Sequence, residues 1–169
     1  MRTILSILIM FPGLAAGQTS VNNFHIEGGK VIWTKVIPAT SSFTELITAL
    51  KRAGIFESYE ITGNSITGEL KPFPADYKGS GYSEMMTPMY VSRSHWGGFV
   101  IIDYTNDSYT VTIKNIRYTT SREYPVSKLG EVDYLETQAL NKDGFKRAFT
   151  KAASRILDHT FSKTISAKE

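Results

Sequence analysis

The sequence predicts an α+β fold: an antiparallel sheet with two main helices packed on one face. Three observations carry this. Extended runs meet at tight-turn residues three times along the chain, the mark of neighbouring hairpins. Segments 42–53 and 143–163 each carry a single apolar stripe at helical spacing. Helices are missing between the later strands, where a parallel sheet would need them as crossovers. The order is strand, helix, several antiparallel strands, helix.

Phe24 to Trp33 places two extended runs around Gly28-Gly29, and the second continues through Lys35, Val36 and Ile37 until Pro38. Ser42 and Glu45, a hydroxyl and a carboxylate three apart, form a capping box that satisfies free amides at a helix start. Phe43, Leu46, Ile47, Leu50 and Ala53 then make one apolar stripe. Lys51 and Arg52 suit the negative end of the helix dipole, and Gly54 is placed to terminate it. Tyr59 to Leu70 is a second hairpin turning at Gly63-Asn64, which sets Ile61 opposite Ile66. Tyr59, Ile61, Ile66 and Leu70 share one face, and Glu60, Thr62, Thr67 and Glu69 take the other. Phe99 to Ile116 is a third hairpin turning near Asn106-Asp107. Its register gives Val100, Ile102, Tyr104, Tyr109, Val111 and Ile113 to the core. Phe99, Ile101, Asp103, Thr110, Thr112 and Lys114 fall on a mixed second face.

Lys71 to Gly98 is rich in Pro, Gly, Tyr and Met. A structureless loop of that length is unusual inside a compact domain, so a short edge strand is expected over Met89 to Ser92, with Pro88 tolerated at an edge. A helical turn is expected near Asp133 to Ala139. The last helix starts near Asp143, with Phe145, Ala148, Phe149, Ala152, Ile156, Leu157, Thr160 and Phe161 facing inward. Lys146, Arg147, Lys151, Arg155 and Lys163 face outward. These elements make a single domain over 24–165, between a flexible leader at 18–23 and a flexible tail at 166–169.

The first seventeen residues are of different material. Arg2 is the lone charge, Ile4 to Leu14 is apolar except for Ser6 and a Pro12-Gly13 break, and Ala15-Ala16-Gly17 are small. This is the order of a secretory signal peptide, read here as cleaved between Gly17 and Gln18. The apolar run is shorter than the ~20 residues that cross a bilayer. A periplasmic or secreted protein is expected.

The chain has no cysteine, which excludes disulfides, thiolate nucleophiles and cysteine metal sites. Its net charge is only +3, too weak a balance to point to nucleic acid. The three histidines, His25, His95 and His159, show no metal-ligand spacing, and neither a metal nor a cofactor is expected. Gly79-Ser80-Gly81 is not a nucleophile elbow. Asp103 and Asp107 flank a turn without a calcium-loop pattern. Glu60 and Glu69 fall on the exposed side of a hairpin, where solvation explains them.

Tyr77, Tyr82, Tyr90 and Trp96 crowd the 71–98 segment together with Met85, Met86 and Met89. The four aromatics are the candidate ligand-binding residues, because amphipathic aromatics beside adaptable methionines suit recognition of an envelope protein, a peptide or a glycan. The competing reading is that the segment covers the second sheet face and buries Phe99 and Ile101. That reading is favoured, since exposed apolar patches are uncommon on soluble monomers. The basic outer side of the 143–163 helix is by default a solvated face, with contact to an anionic envelope surface as the minor alternative. Function is therefore expected to be that of an exported, non-catalytic binding or envelope-associated module. The alternative is a small envelope hydrolase whose site is assembled only in three dimensions.

The run Gly29-Lys30-Val31-Ile32-Trp33-Thr34-Lys35-Val36, the helix after it and Ile61-Thr62-Gly63-Asn64-Ser65-Ile66-Thr67-Gly68-Glu69 resemble a known family, the exported bacterial domain of unknown function 4468. The Gly79-to-Val91 region and Tyr109-Thr110-Val111-Thr112-Ile113-Lys114-Asn115-Ile116 are similar to its later strands. One turn differs, Thr105-Asn106-Asp107-Ser108 standing where the family usually has a basic, glycine-bearing turn. The resemblance spans roughly 29 to 117 and implies a TBP-like fold with a curved sheet. It implies no activity, and the name of the fold gives no reason to expect DNA binding.

Overall fold

The computed structural model describes residues 19–123, 125 and 127–166. The signal expected over 1–17 and its cleavage point lie outside these residues. The main sheet is antiparallel, built from β1 (Ser20–Val21), β2 (Phe24–Glu27), β3 (Lys30–Pro38), β4 (Phe56–Thr62), β5 (Ser65–Leu70), β6 (Phe73–Pro74), β7 (Ser94–Tyr104), β8 (Ser108–Thr120) and β9 (Val132–Tyr134). Across the sheet the order is β1-β2-β3-β8-β7-β5-β4; β6 pairs with β7 beyond β5, and β9 with β8 beyond β3.

The three hairpins form at their turn residues. Gly28 and Gly29 both take positive φ, +56° and +76°, as a two-residue turn matched to strand twist requires. Ile61 pairs with Ile66, and Tyr104 with Tyr109. Helix α1 (Phe43–Ala53) begins with both halves of the Ser42–Glu45 capping box and ends at left-handed Gly54.

Strand parity sorts the sheet into two faces. The covered face carries Val31 and Trp33 of β3, Val100 and Ile102 of β7, Val111 and Ile113 of β8 and Ile66 of β5, all buried. Helix α1 reaches this face through Phe43, whose ring lies 5.4 Å from that of Tyr104. Helix α4 (Ser154–Ile165) reaches it through Phe161, 5.7 Å from Trp33. Burial of these side chains supplies the folding force, ~25 cal/mol per Å² of apolar surface removed from water. Farther along β8, Asn115 takes φ +49° and the register with β7 slips between Gly97 and Phe99. This bulge returns Ile116 and Tyr118 to the covered face, so the core runs past the hairpin predicted over 99–116.

Several expectations are corrected. Residues 20–23 are not a loose leader: Ser20–Val21 pairs with Phe24 and His25, Asn22 donates to Ser154 Oγ and Asn23 to Asp158 Oδ1. Met89–Ser92 is a helical turn, α2, not an edge strand. Pro88 supplies the fixed φ suited to a helix start, and its carbonyl accepts from Val91 N at 2.8 Å. The edge pairing falls instead to Phe73–Pro74, opposite Trp96 and His95, and β7 starts at Ser94. The helical turn near 133–139 is β9 followed by α3 (Leu135–Ala139).

The last helix starts later than Asp143. Leu140–Asn141 (β10) and Gly144–Phe145 (β11) form a small hairpin, with Asn141 Oδ1 accepting from Asp143 N. Helix begins after it, passes through a π-helical turn at Phe149–Ala153 and continues as α4. Phe145, Phe149 and Phe161 are buried, but Ala148 is exposed. In the second hairpin Tyr59 and Ile61 remain 44% and 38% exposed, because β4 is the outermost strand on its side.

Candidate functional site

The 71–98 segment crosses the helix side of the molecule. Phe73 sets its ring edge-on to Phe161, Asp76 N donates to Thr160 Oγ1, and Tyr82 Oη approaches the Lys151 carbonyl at 3.5 Å. It therefore does not cover the second sheet face. Phe99 and Ile101 are half-buried there among their strand neighbours.

The four aromatic candidates are divided between two places. Trp96 is fully buried, packed 5.2 Å from Tyr118 and 6.3 Å from Tyr90, and its indole Nε1 has no hydrogen-bond partner. Tyr90 is half-buried on that pair, while Tyr77 and Tyr82 are half-buried against the core near α4. Trp96 offers a ligand no surface. What the segment does present is methionine: Met85, Met86 and Met89 are 99%, 66% and 50% exposed. The backbone beneath them is held by Met86 N to Ser83 O, Thr87 Oγ1 to Ser83 O and Arg93 N to Met89 O. A firm base carrying flexible thioether side chains is a surface that adapts to an apolar partner.

One convergence of ionisable groups was not evident in the sequence. Asp76 accepts from Lys163 Nζ and Gly79 N, and its Oδ2 lies 3.5 Å from His159 Nε2. The Lys163 hydrogen bond, helped by the Gly79 amide, holds the Asp76 carboxyl down at about 2. A groove of about 400 Å³ beside it is lined by Pro74, Ala75, Asp76, Thr160, Lys163 and Thr164. A carboxylate of that pKa is a weak base at neutral pH. Thr160 Oγ1, which lines this groove, donates to Ile156 O and accepts from Asp76 N, so it is engaged as well. The cluster fastens the segment to α4. His159 and Lys163 stand four apart on one helix face, a signal readable in sequence; their meeting with Asp76 is a tertiary fact.

Glu69, assigned above to a solvated face, pairs with Arg117 at 2.9 Å across the second face. Lys30 lies over the ring of Tyr134, 5.4 Å from its centroid. Among the described residues no group of three or more His, Asp or Glu side chains is placed to hold a metal ion. Nor is any helix among them long and apolar enough to cross a membrane.

Against solved structures, the chain is similar to a TBP-like protein from Parabacteroides distasonis: 12% identity, TM-score 0.52, covering 84% of this chain and 94% of that one. The fold is TBP-like. A second similar structure, a domain of unknown function 4468 family protein from Bacteroides ovatus, has 14% identity and TM-score 0.44 over 88% of this chain and 86% of that one. No family profile and no curated protein matches the sequence. A TBP-like fold at this identity describes shape, and function must be argued from the surface.

Proposed function

We infer that the protein is a non-catalytic binding module of the bacterial cell envelope, related to the domain of unknown function 4468 family. It is exported on its N-terminal signal, processed between Gly17 and Gln18, and works in the periplasm or outside the cell. Recognition of an envelope protein, peptide or glycan rests on the 71–98 segment. The observation that carries this is the exposure of Met85, Met86 and Met89 on a backbone pinned by its own hydrogen bonds. Tyr77, Tyr82 and Tyr90 brace the segment from below, and Trp96 supports it from the core. The engaged state of Thr160 and Asp76 supports binding over hydrolysis.

Photo-crosslinking in the native envelope tests the reading. A crosslinker at position 86 is expected to capture a defined partner, and one on the outer side of α4, at Arg155, none. Replacing Met85 and Met89 by Ser in the same protein is expected to abolish capture without lowering the melting temperature. Equal capture from both positions, or capture indifferent to the serines, overturns it.

A further inference from the structure

The second sheet face is a surface that the binding segment leaves unused. The helix contacts described above, through Phe43, Phe161 and the 71–93 segment, all go to the other side of the sheet. The outward side chains do not resemble an ordinary solvated face: Val36 is 61% exposed, Phe99 and Ile101 are half-exposed, and around them stand Thr34, Thr67, Thr110 and Thr112. Such β-branched, hydroxyl-bearing faces suit packing of one sheet against another at ~10 Å.

The register shows which sheet fits. One row across β5, β7 and β8 reads Glu69, Phe99, Lys114: acid, aromatic, base. The next reads Thr67, Ile101, Thr112, with an isoleucine between two hydroxyls. The third reads Ser65, Asp103, Thr110. Turn a second copy of this face over about an axis running along β7. Phe99 then meets Phe99, Ile101 meets Ile101, threonine meets threonine, and Glu69 of each copy faces Lys114 of the other. Asp103 alone meets its own charge near the axis. It accepts from Ser65 Oγ at 2.7 Å, so each carboxylate is drawn toward its own β5, on opposite sides of the axis.

We propose that this face is an isologous interface between two copies of the chain, centred on Phe99 and Ile101 and held in register by reciprocal Glu69–Lys114 pairs. Acid and base halves related by such an axis make the face complementary to itself, the condition for a closed two-fold dimer. The central apolar contact is small, so charge contributes much of the specificity and salt weakens the dimer.

Sedimentation of the purified protein tests this. A monomer–dimer equilibrium that shifts toward monomer with added salt is expected. Lys114→Glu is expected to give monomer by setting two acids opposite each other, and so is Glu69→Lys. The double exchange K114E/E69K is expected to recover the dimer, which loss of the Arg117 contact alone would not predict. Thermal melts of each variant separate misfolding from dissociation, and Phe99→Glu provides an independent disruption at the centre. A protein monomeric at millimolar concentration, or a dimer that survives Lys114→Glu and Phe99→Glu, overturns the proposal. Neither result bears on capture through Met86.

Discussion

Trp33 Nε1 donates to Asp158 Oδ1 at 2.8 Å, joining the middle of β3 to the inner side of α4. The same oxygen accepts from Asn23 Nδ2, so one carboxylate ties together a strand, a helix and the turn that opens the sheet. Trp33 is fully buried, and without this acceptor its indole N–H would be left unpaired away from water. An unsatisfied buried donor costs about 1–3 kcal/mol. Asp158→Ala is therefore expected to destabilise by that order in urea melts. Asp158→Asn, which keeps one acceptor oxygen, is expected to cost less.

Asp76 sets part of the acid limit of stability. Its folded pKa is depressed to about 2 from 3.8 by the Lys163 hydrogen bond first and the Gly79 amide second. A carboxyl depressed on folding contributes stability that is complete above its unfolded pKa and is lost as pH falls through the folded one. The loss attributable to Asp76 is thus expected between about pH 4 and pH 2. Asp76→Asn should flatten the dependence of stability on pH in that window and leave its shape above pH 5 unchanged. An unaltered acid limb in the variant would contradict the linkage.

What the sequence made legible follows from how local each signal is. Ser42, Glu45 and Gly54 act within one helix, and Gly28-Gly29 within one turn, so the residues alone determine the outcome. Alternation in 99–113 likewise predicts the covered face, since parity is a property of the strand itself. The failures are tertiary. Met89–Ser92 has strand-like composition, yet Pro88 starts a helical turn and Phe73–Pro74 takes the edge. Asn115 resets parity in a way alternation cannot anticipate. For the candidate site, the crowding of Tyr77, Tyr82, Tyr90 and Trp96 was visible. Which of them faced water was not, and no local pattern signals that Asp76 meets Lys163.

Gly98 stands opposite the bulge at Asn115. A Cβ built there would lie 2.9 Å from Ile113 Cγ2 and 2.9 Å from the Lys114 carbonyl oxygen. The carbonyl belongs to the neighbouring strand and cannot swing away as a side-chain end could. Overpacking of a core typically costs about 1–3 kcal/mol. Gly98→Ala is expected to fall in this range by chemical denaturation. Gly97→Ala, whose Cβ would come no closer than 3.4 Å to the Leu70 carbonyl oxygen, is expected to be milder.

The C-terminal helix is expected to matter through its buried aromatics more than its outer bases. Phe149 is fully buried in the π-helical turn, edge-on to Phe24 at 5.3 Å and stacked on Phe145 at 5.2 Å. Lys151, two residues on, is exposed, and the hydrogen bond Tyr82 makes there is to its backbone carbonyl. Truncating a buried Phe to Ala costs about 3–5 kcal/mol, against a whole-domain stability of roughly 5–15 kcal/mol. Surface charge changes usually stay within about 0.5 kcal/mol. Phe149→Ala is thus expected to lower the melting temperature sharply and Lys151→Ala to leave it in place. If both variants melted like the parent while Lys151→Ala abolished capture of an envelope partner, the basic face of this helix would be the docking surface. The methionine segment would then lose the role assigned to it.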